Sequence, residues 1–319
     1  MSATRPAARL GALTPRRSAT AERHDPPLVV VRFVTDEALC LAGLLEQAAK
    51  RLAGTPASAE QAYGHGGIHV NGRPLDPEAE PAPVEAGSWV VVYAFEREPE
   101  PVACGALRVL HDGDGLVAVD KPAWLPMQRT RASARLSLEA SLRAQLGDPT
   151  LVAAHRLDRQ TSGVALFARG RAGAWVAREL AERRVQKRYL TVAAPPPERA
   201  SFDVEGCLAR APDPARFRFA LGPEGRWSRT SFHVLARGER RALLEAAPET
   251  GRTHQIRVHL AAAGAPVVGD DLYGPPFTPG SASSAERVLL HAAALELRRP
   301  DGVALRVVAE PPADLAGAL

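Results

Sequence analysis

No apolar run in the chain approaches the ~18 residues that a membrane-spanning helix requires; the longest, Ser88 to Phe95, is the size of a strand. A transmembrane protein is therefore not expected, and the first residues lack the apolar core of a secretory signal. There are only three cysteines, Cys40, Cys104 and Cys207, far apart and without a C-x-x-C pair. That pattern argues against a zinc ribbon or a disulfide scaffold and for reduced thiols in a cytoplasmic setting. Aromatic residues make up 5% of the chain, and lysines number three, Lys50, Lys121 and Lys187, so arginine supplies nearly all of the 40 cations. An arginine-rich surface is thus expected whatever the protein does, and total charge says little about partners.

What is present is a chain of 319 residues, 24% charged and 45% hydrophobic, enough for two domains of about 150 residues each and too ordinary in charge for wholesale disorder. The net charge of +4 is mostly that of residues 1–27, which carry five arginines and two acids and read as a disordered basic tail. Leu28 to Val34 reads as a strand, and the spacing of Leu41, Leu44, Leu45, Ala48 and Leu52 predicts a helix over 36–52, closed by Gly54. Ile68-His69-Val70 then runs into Asn71-Gly72, the strongest short hairpin signal, and Ser88 to Tyr93 is a further strand. Residues 28–95 therefore form one small α/β module, and the polar, proline-rich residues 96–104 a linker.

From residue 105 to 319 strand-like and helix-like stretches alternate without regular βαβ spacing. Turn signals lie at 111–115; helices are expected at Ser137–Gly147 and Gly173–Glu182; strands at Leu107–Leu110, Leu116–Asp120, Gly163–Ala168, Lys187–Ala193, Thr230–Ala236, Ala242–Ala247 and Val303–Val308. The class this supports is α+β, with a mixed, mainly antiparallel sheet and flanking helices.

Three blocks place polar residues between apolar ones, where a core would exclude them. The first runs from His155 to Gly163 (HRLDRQTSG), in which Arg156 and Arg159 flank Asp158. Positive charge on both sides favours the carboxylate form, suited to a nucleophile or a base, and equally to a structural ion pair. The second, Lys187-Arg188-Tyr189-Leu190, puts Lys187 and Tyr189 on one face of a strand and Arg188 on the other. A tyrosine there can stack on a base or exchange a proton; an ordinary strand tyrosine is the alternative. The third, Thr250 to Gly264, predicts a helix capped by Thr253 and closed by Gly264, with Arg257 on an edge shared with His254. His254 and His259 are five apart, on different sides of a helix, and no carboxylate stands at zinc-ligand spacing, so no metal is expected.

In this order the blocks resemble the RluA-type RNA pseudouridine synthase family: HRLDRQTSG its catalytic motif, KRYL its second and TGRTHQIRVHLAAAGAPVVGDDLYG its third, with agreement also in Leu116–Pro122 and Leu290–Leu295. The module at 28–95 is similar to the alpha-L RNA-binding domain, through Gly67–Gly72 and Ala86–Val91, in a degenerate form. The first resemblance implies a catalytic domain at 105–319 with a central cleft, and a cofactor-free isomerisation of uridine in ribosomal or transfer RNA. In that reaction the base–ribose bond breaks and the base is rejoined through carbon 5. It implies Asp158 as nucleophile, Arg257 as its partner, and Tyr189 as a stacking residue and candidate base. Arg156 would enter the RNA helix where the flipped base leaves a gap, and Lys187, Arg188, Arg252 and His254 would assist at the phosphates or the site wall. A monomer in the cytoplasm, acting on RNA without metal or membrane, is the expected setting.

Two rivals stand beside this reading. A non-catalytic RNA-binding or ribosome-assembly factor on the same scaffold would be expected to have lost Asp158, Tyr189 or Arg257. A retaining glycosidase-like hydrolase would need a second carboxyl ~5–5.5 Å from the first, and the three blocks supply no obvious one.

Overall fold

The computed structural model describes residues 28–80, 82–95, 106–133, 136–212, 218–276 and 278–318. The tail at 1–27 and the linker at 96–104 lie outside the described residues.

The N-terminal part comprises β1 (Leu28–Val34), α1 (Leu41–Leu52), α2 (Ala59–Gly64), β2 (Ile68–Val70), β3 (Arg73–Pro74) and β4 (Trp89–Phe95), with an antiparallel sheet in the order β1-β4-β2-β3. Asn71 and Gly72 both have positive φ, 49° and 82°, the turn that matches the twist of a two-stranded ribbon. Val29, Leu44, Ala48, Ile68, Val90 and Val92 meet in a core of this part's own. The first helix begins at Leu41, not at Asp36. Leu39 exchanges both backbone hydrogen bonds with Val84, each 2.8 Å, and that bridge holds the preceding residues extended.

The remaining elements are β5 (Val109–Gly113), β6 (Leu116–Lys121), α3 (Leu138–Leu146), β7 (Leu151–Ala153), β8 (Ser162–Arg169), α4 (Ala174–Ala181), β9 (Gln186–Ala193), β10 (Ser201–Arg210) and β11 (Phe219–Gly222). They continue as β12 (Arg226–Arg237), β13 (Ala242–Pro248), α5 (Gln255–Ala262), β14 (Leu290–Arg298), β15 (Ala304–Val308) and α6 (Ala313–Ala316). The turn after β5 closes at Asp114-Gly115, with φ of 53° and 74°, so β5 runs further than the expected turn at 111–115 allowed. Helix α3 starts and stops where its caps predict: Ser137 Oγ accepts the Ala140 amide, and Gly147 is left-handed.

Eleven strands form one sheet in the order β11-β10-β12-β13-β9-β14-β8-β6-β5, with β15 beside β14 and β7 beside β8. Among the described strands every pairing is antiparallel except β14 with β8. The α+β class with a mainly antiparallel sheet is therefore the observed architecture. Strands β10 and β11 escape a reading for apolar runs because β10 alternates exposed with half-buried residues and is held by its backbone ladder with β12.

At the parallel junction, Tyr189 on β9 lies opposite Ala292 on β14, which in turn lies opposite Gly163 on β8. Gly163 has φ +105°, and a Cβ there would sit 2.3 Å from the Ala292 carbonyl oxygen. Only glycine fits that close approach. Its narrowness brings the segment before β8, which carries Asp158, up against the tyrosine strand.

Candidate active site

A cavity of about 650 Å3 opens at this junction, lined by residues of all three blocks, Asp158, Tyr189 and Arg257 among them. Asp158 belongs to the segment before β8, its carbonyl accepting the Thr161 amide at 3.1 Å. The segment is pinned from beneath by Lys121. That side chain is fully buried, and its Nζ donates to the carbonyls of Pro122 (2.9 Å), Arg159 (3.0 Å) and Thr161 (2.6 Å). Burial pushes the Lys121 pKa well below its ordinary value, while three carbonyls together use all three protons of the ammonium form.

Arg257 comes from α5, whose residues Gln255 to Leu260 are all buried, so the helix lies inside the fold and each polar side chain has its own partner. Gln255 joins Thr250 Oγ1 (2.6 Å), the Arg252 amide (3.0 Å) and the Arg229 carbonyl (2.9 Å). The helix start differs from expectation: His254, not Thr253, occupies the N-cap position, in a left-handed conformation and without a side-chain cap. That backbone turn aims the imidazole at the carboxylate.

The Arg257 guanidinium is shared. Its Nη1 lies 3.4 Å from Asp158 Oδ2, while Nε and Nη2 grip Asp270 at 2.7 and 3.0 Å. Asp270 is sealed from solvent and also accepts the amides of Leu272 and Tyr273, both at 3.2 Å. On the other side His254 Nε2 stands 3.9 Å from Asp158 Oδ1. Its Nδ1 is 2.7 Å from the Tyr273 hydroxyl, whose oxygen accepts the Phe219 amide at 2.9 Å. The tautomer that takes the Tyr273 proton on Nδ1 carries its imidazole N–H on Nε2, the nitrogen that faces Asp158. The Asp158 side chain keeps 28% of its surface exposed, open to the cavity.

Tyr189 is 8% exposed, and burial first, then the negative Asp158, push its phenol pKa up. Lys187, on the same face of β9, donates to the Thr250 carbonyl at 3.2 Å, and burial with the cations Arg183 and Arg252 pushes its pKa down. Arg156 and Arg252 also line the cavity. Arg188 does not: it projects from the opposite face of β9 into an exposed ion pair with Glu245 at 3.2 Å. Of the residues the sequence singled out, the cavity brings together Arg156, Asp158, Lys187, Tyr189, Arg252, His254 and Arg257, and leaves Arg188 outside its lining. Sequence reasoning missed the supporting Asp270 and Tyr273, although both stand in the third block's continuation, GDDLYG. Among the described residues no group of three His, Cys, Asp or Glu could hold a metal ion.

The mainly antiparallel sheet thus opens at its parallel junction onto a cation-walled cavity with a carboxylate inside. The family described as RNA pseudouridylate synthase matches residues 115–262. An uncharacterized RNA pseudouridine synthase of Synechocystis sp. is 33% identical over 218 residues, covering 67% of this chain and 73% of the relative. The ribosomal large subunit pseudouridine synthase D of Nitrosomonas europaea is 34% identical over 203 residues, covering 61% of this chain and 58% of its own. Among solved structures, human RNA pseudouridylate synthase domain containing 1 aligns with a TM-score of 0.57 at 27% identity, over 69% of this chain and 90% of that one. The chain belongs to the RNA pseudouridine synthase family, and it is an enzyme that isomerises uridine in RNA. No helix of the described residues is long and apolar enough to cross a membrane.

Proposed function

We propose that Asp158 is the nucleophile of this isomerisation and that its substrate is a uridine in the RNA of the large ribosomal subunit. The observation that carries the reading is a carboxylate open to a 650 Å3 cavity and held there by Arg257 at 3.4 Å. In the reaction the bond from N1 to the anomeric carbon breaks, a bond from carbon 5 to that carbon forms, carbon 5 loses its proton and N1 gains one. One bond is exchanged for another without oxidation, so the residues need only supply a nucleophile, a proton path and a place for the flipped base.

Arg257 aims the Asp158 carboxylate at the bound uridine, and Asp270 keeps Arg257 in place. Tyr189 packs against the uracil; as a phenol held protonated by burial, it takes up the carbon-5 proton as its own proton leaves for N1, so the hydroxyl relays one proton and no phenolate accumulates. Arg156 fills the gap in the RNA helix, and Lys187, Arg252 and His254 line the phosphate side. Arginine and aromatic contacts offset a flipping cost of a few kcal/mol. The choice of RNA follows the Nitrosomonas relative, which is named for the large ribosomal subunit.

We further propose that residues 28–95 are a separate module that braces the catalytic part and does not grip RNA. They carry eight acidic side chains against four basic ones, a poor match for a phosphate backbone. The module docks through backbone and aromatic contacts: a His69 ring nitrogen on the Arg131 carbonyl at 2.9 Å, and Phe95 under the Arg159 guanidinium.

The test is a map of pseudouridines in ribosomal and transfer RNA from a strain lacking the gene, by carbodiimide labelling and primer extension. A missing site in large-subunit RNA, restored by the wild-type gene and not by Asp158→Asn, is the expected result. Restoration by the Asn variant would overturn the role of Asp158, and a loss confined to transfer RNA would overturn the choice of substrate.

A further inference from the structure

Beside the cavity stands an aromatic side chain that the proposed reaction does not use. Trp227, second residue of β12, is 39% exposed in a chain that holds only four tryptophans. Its indole is not a loose surface ring. The Arg183 guanidinium lies over it at 5.5 Å, and Arg252 Nε donates to its carbonyl at 3.2 Å. Arg183 follows α4 and holds a left-handed backbone, φ +58°, which costs an L side chain energy and is retained only where the surroundings enforce it. Two cations that line the cavity therefore meet at Trp227, Arg183 at its ring and Arg252 at its backbone carbonyl.

The group is also electrostatically one-sided. Arg183, Lys187 and Arg252 line the cavity, and Arg226 is the neighbour of Trp227. The forces that lower the pKa of Arg252 are burial, then Arg226, then Arg183; those on Lys187 are burial, then Arg183, then Arg252. Cations that crowd one another beside an open aromatic face are stabilised by an anion carrying a flat ring. A nucleotide has both parts.

We propose that Trp227 and the cations around it form a subsite for a nucleotide flanking the target uridine. The indole stacks on that nucleotide's base, and Arg183, Arg226 and Arg252 hold its phosphates. The subsite rests on the reading of this cavity as the uridine site, and it gives that site a grip on a neighbouring nucleotide of single-stranded character. Stacking on an aromatic face is tolerant of base identity, so the subsite selects unpaired sequence next to the target and not a particular base.

The experiment measures pseudouridine formation in RNA from the deletion strain, and quenching of tryptophan fluorescence by a mixed-sequence single-stranded RNA 12-mer. Trp227→Ala should raise KM about tenfold, the usual effect of removing one base-stacking ring, with a much smaller change in kcat and an unchanged melting temperature. Trp227→Phe should restore most of the affinity. Arg183→Ala should weaken binding and flatten its dependence on salt. The 12-mer should quench wild-type emission and leave that of Trp227→Phe largely unaltered. Equal quenching in both proteins, or equal KM for wild type and Trp227→Ala, would overturn the subsite while leaving the uridine reaction standing. No product from the wild type would instead overturn the reading of the cavity.

Discussion

The guanidinium carbon of Arg159 lies 3.6 Å over the ring of Phe95, the last residue of the N-terminal sheet. Arg159 follows the proposed nucleophile Asp158 directly, and its carbonyl is held by buried Lys121. The ring of Trp124 stands 5.2 Å away on the same guanidinium. A contact between the two parts of the chain is thus one residue from the chemistry.

Phe95→Ala removes a buried ring, 7% exposed, from this contact. Loss of the packing and of the cation–π pairing should cost about 3 kcal/mol, read as a lower urea midpoint. Turnover should fall with it, because the Asp158 segment loses a support, while affinity for RNA stays near that of the wild type in filter binding. An unchanged midpoint and unchanged turnover would show that the contact braces nothing.

Asp270→Asn keeps the shape of a side chain that no solvent reaches and deletes its charge. Arg257, 3% exposed, would then lose the carboxylate that grips it at 2.7 and 3.0 Å, with Asp158 standing farther off at 3.4 Å. Breaking a buried pair in this way should cost about 3–5 kcal/mol and lower kcat more than tenfold, since the guanidinium that orients the nucleophile is no longer anchored. Chemical denaturation and single-turnover kinetics check the two effects separately.

Tyr273→Phe leaves the edge-to-face contact with the His254 ring intact and removes the hydroxyl that serves both His254 Nδ1 and the Phe219 amide. The imidazole then loses its Nδ1 partner, the contact that can select the tautomer with an N–H toward Asp158. A loss of about tenfold in kcat/KM, the equivalent of one hydrogen bond, is expected, with a pH profile that differs in shape from that of the wild type. A profile that is merely scaled down would assign Tyr273 to packing alone.

His259 is fully buried, and its Nε2 is 2.9 Å from Ser228 Oγ. The Ser228 proton goes to the Gly206 carbonyl at 2.8 Å, so Nε2 is the donor and the ring is neutral. Burial pushes its pKa down to about 4. The unfolded chain, with a histidine pKa near 6.5, binds the proton first as pH falls. Stability contributed by the neutral ring is therefore complete above about pH 6.5 and lost between there and about 4. His155, also pushed down to about 4 by burial, acts in the same direction. The melting temperature should fall over this window, and His259→Gln should make the fall shallower; an identical slope would remove His259 from the account.

Much of this was legible because local physics dictated it. The Asn-Gly turn at 71–72, the Ser137 and Gly147 caps and the alternation that separates Lys187 and Tyr189 from Arg188 are consequences of short-range sterics and period. Long ordered blocks likewise made the family readable. The start of α1 was not legible, because Val84, the partner in the bridge that holds Leu39 extended, lies far along the chain.

The sequence by itself determined the class of fold, through periodicity and turn chemistry, and made the reaction readable through the likeness of its ordered blocks to a known family; it also named the side chains here proposed to perform it. Only the tertiary structure decided that Arg257 divides its guanidinium between Asp158 and Asp270, that His254 is turned by Tyr273, and that Phe95 and Trp124 enclose Arg159. Each joins segments separated along the chain, and contacts of that kind are set by packing, which no local pattern encodes.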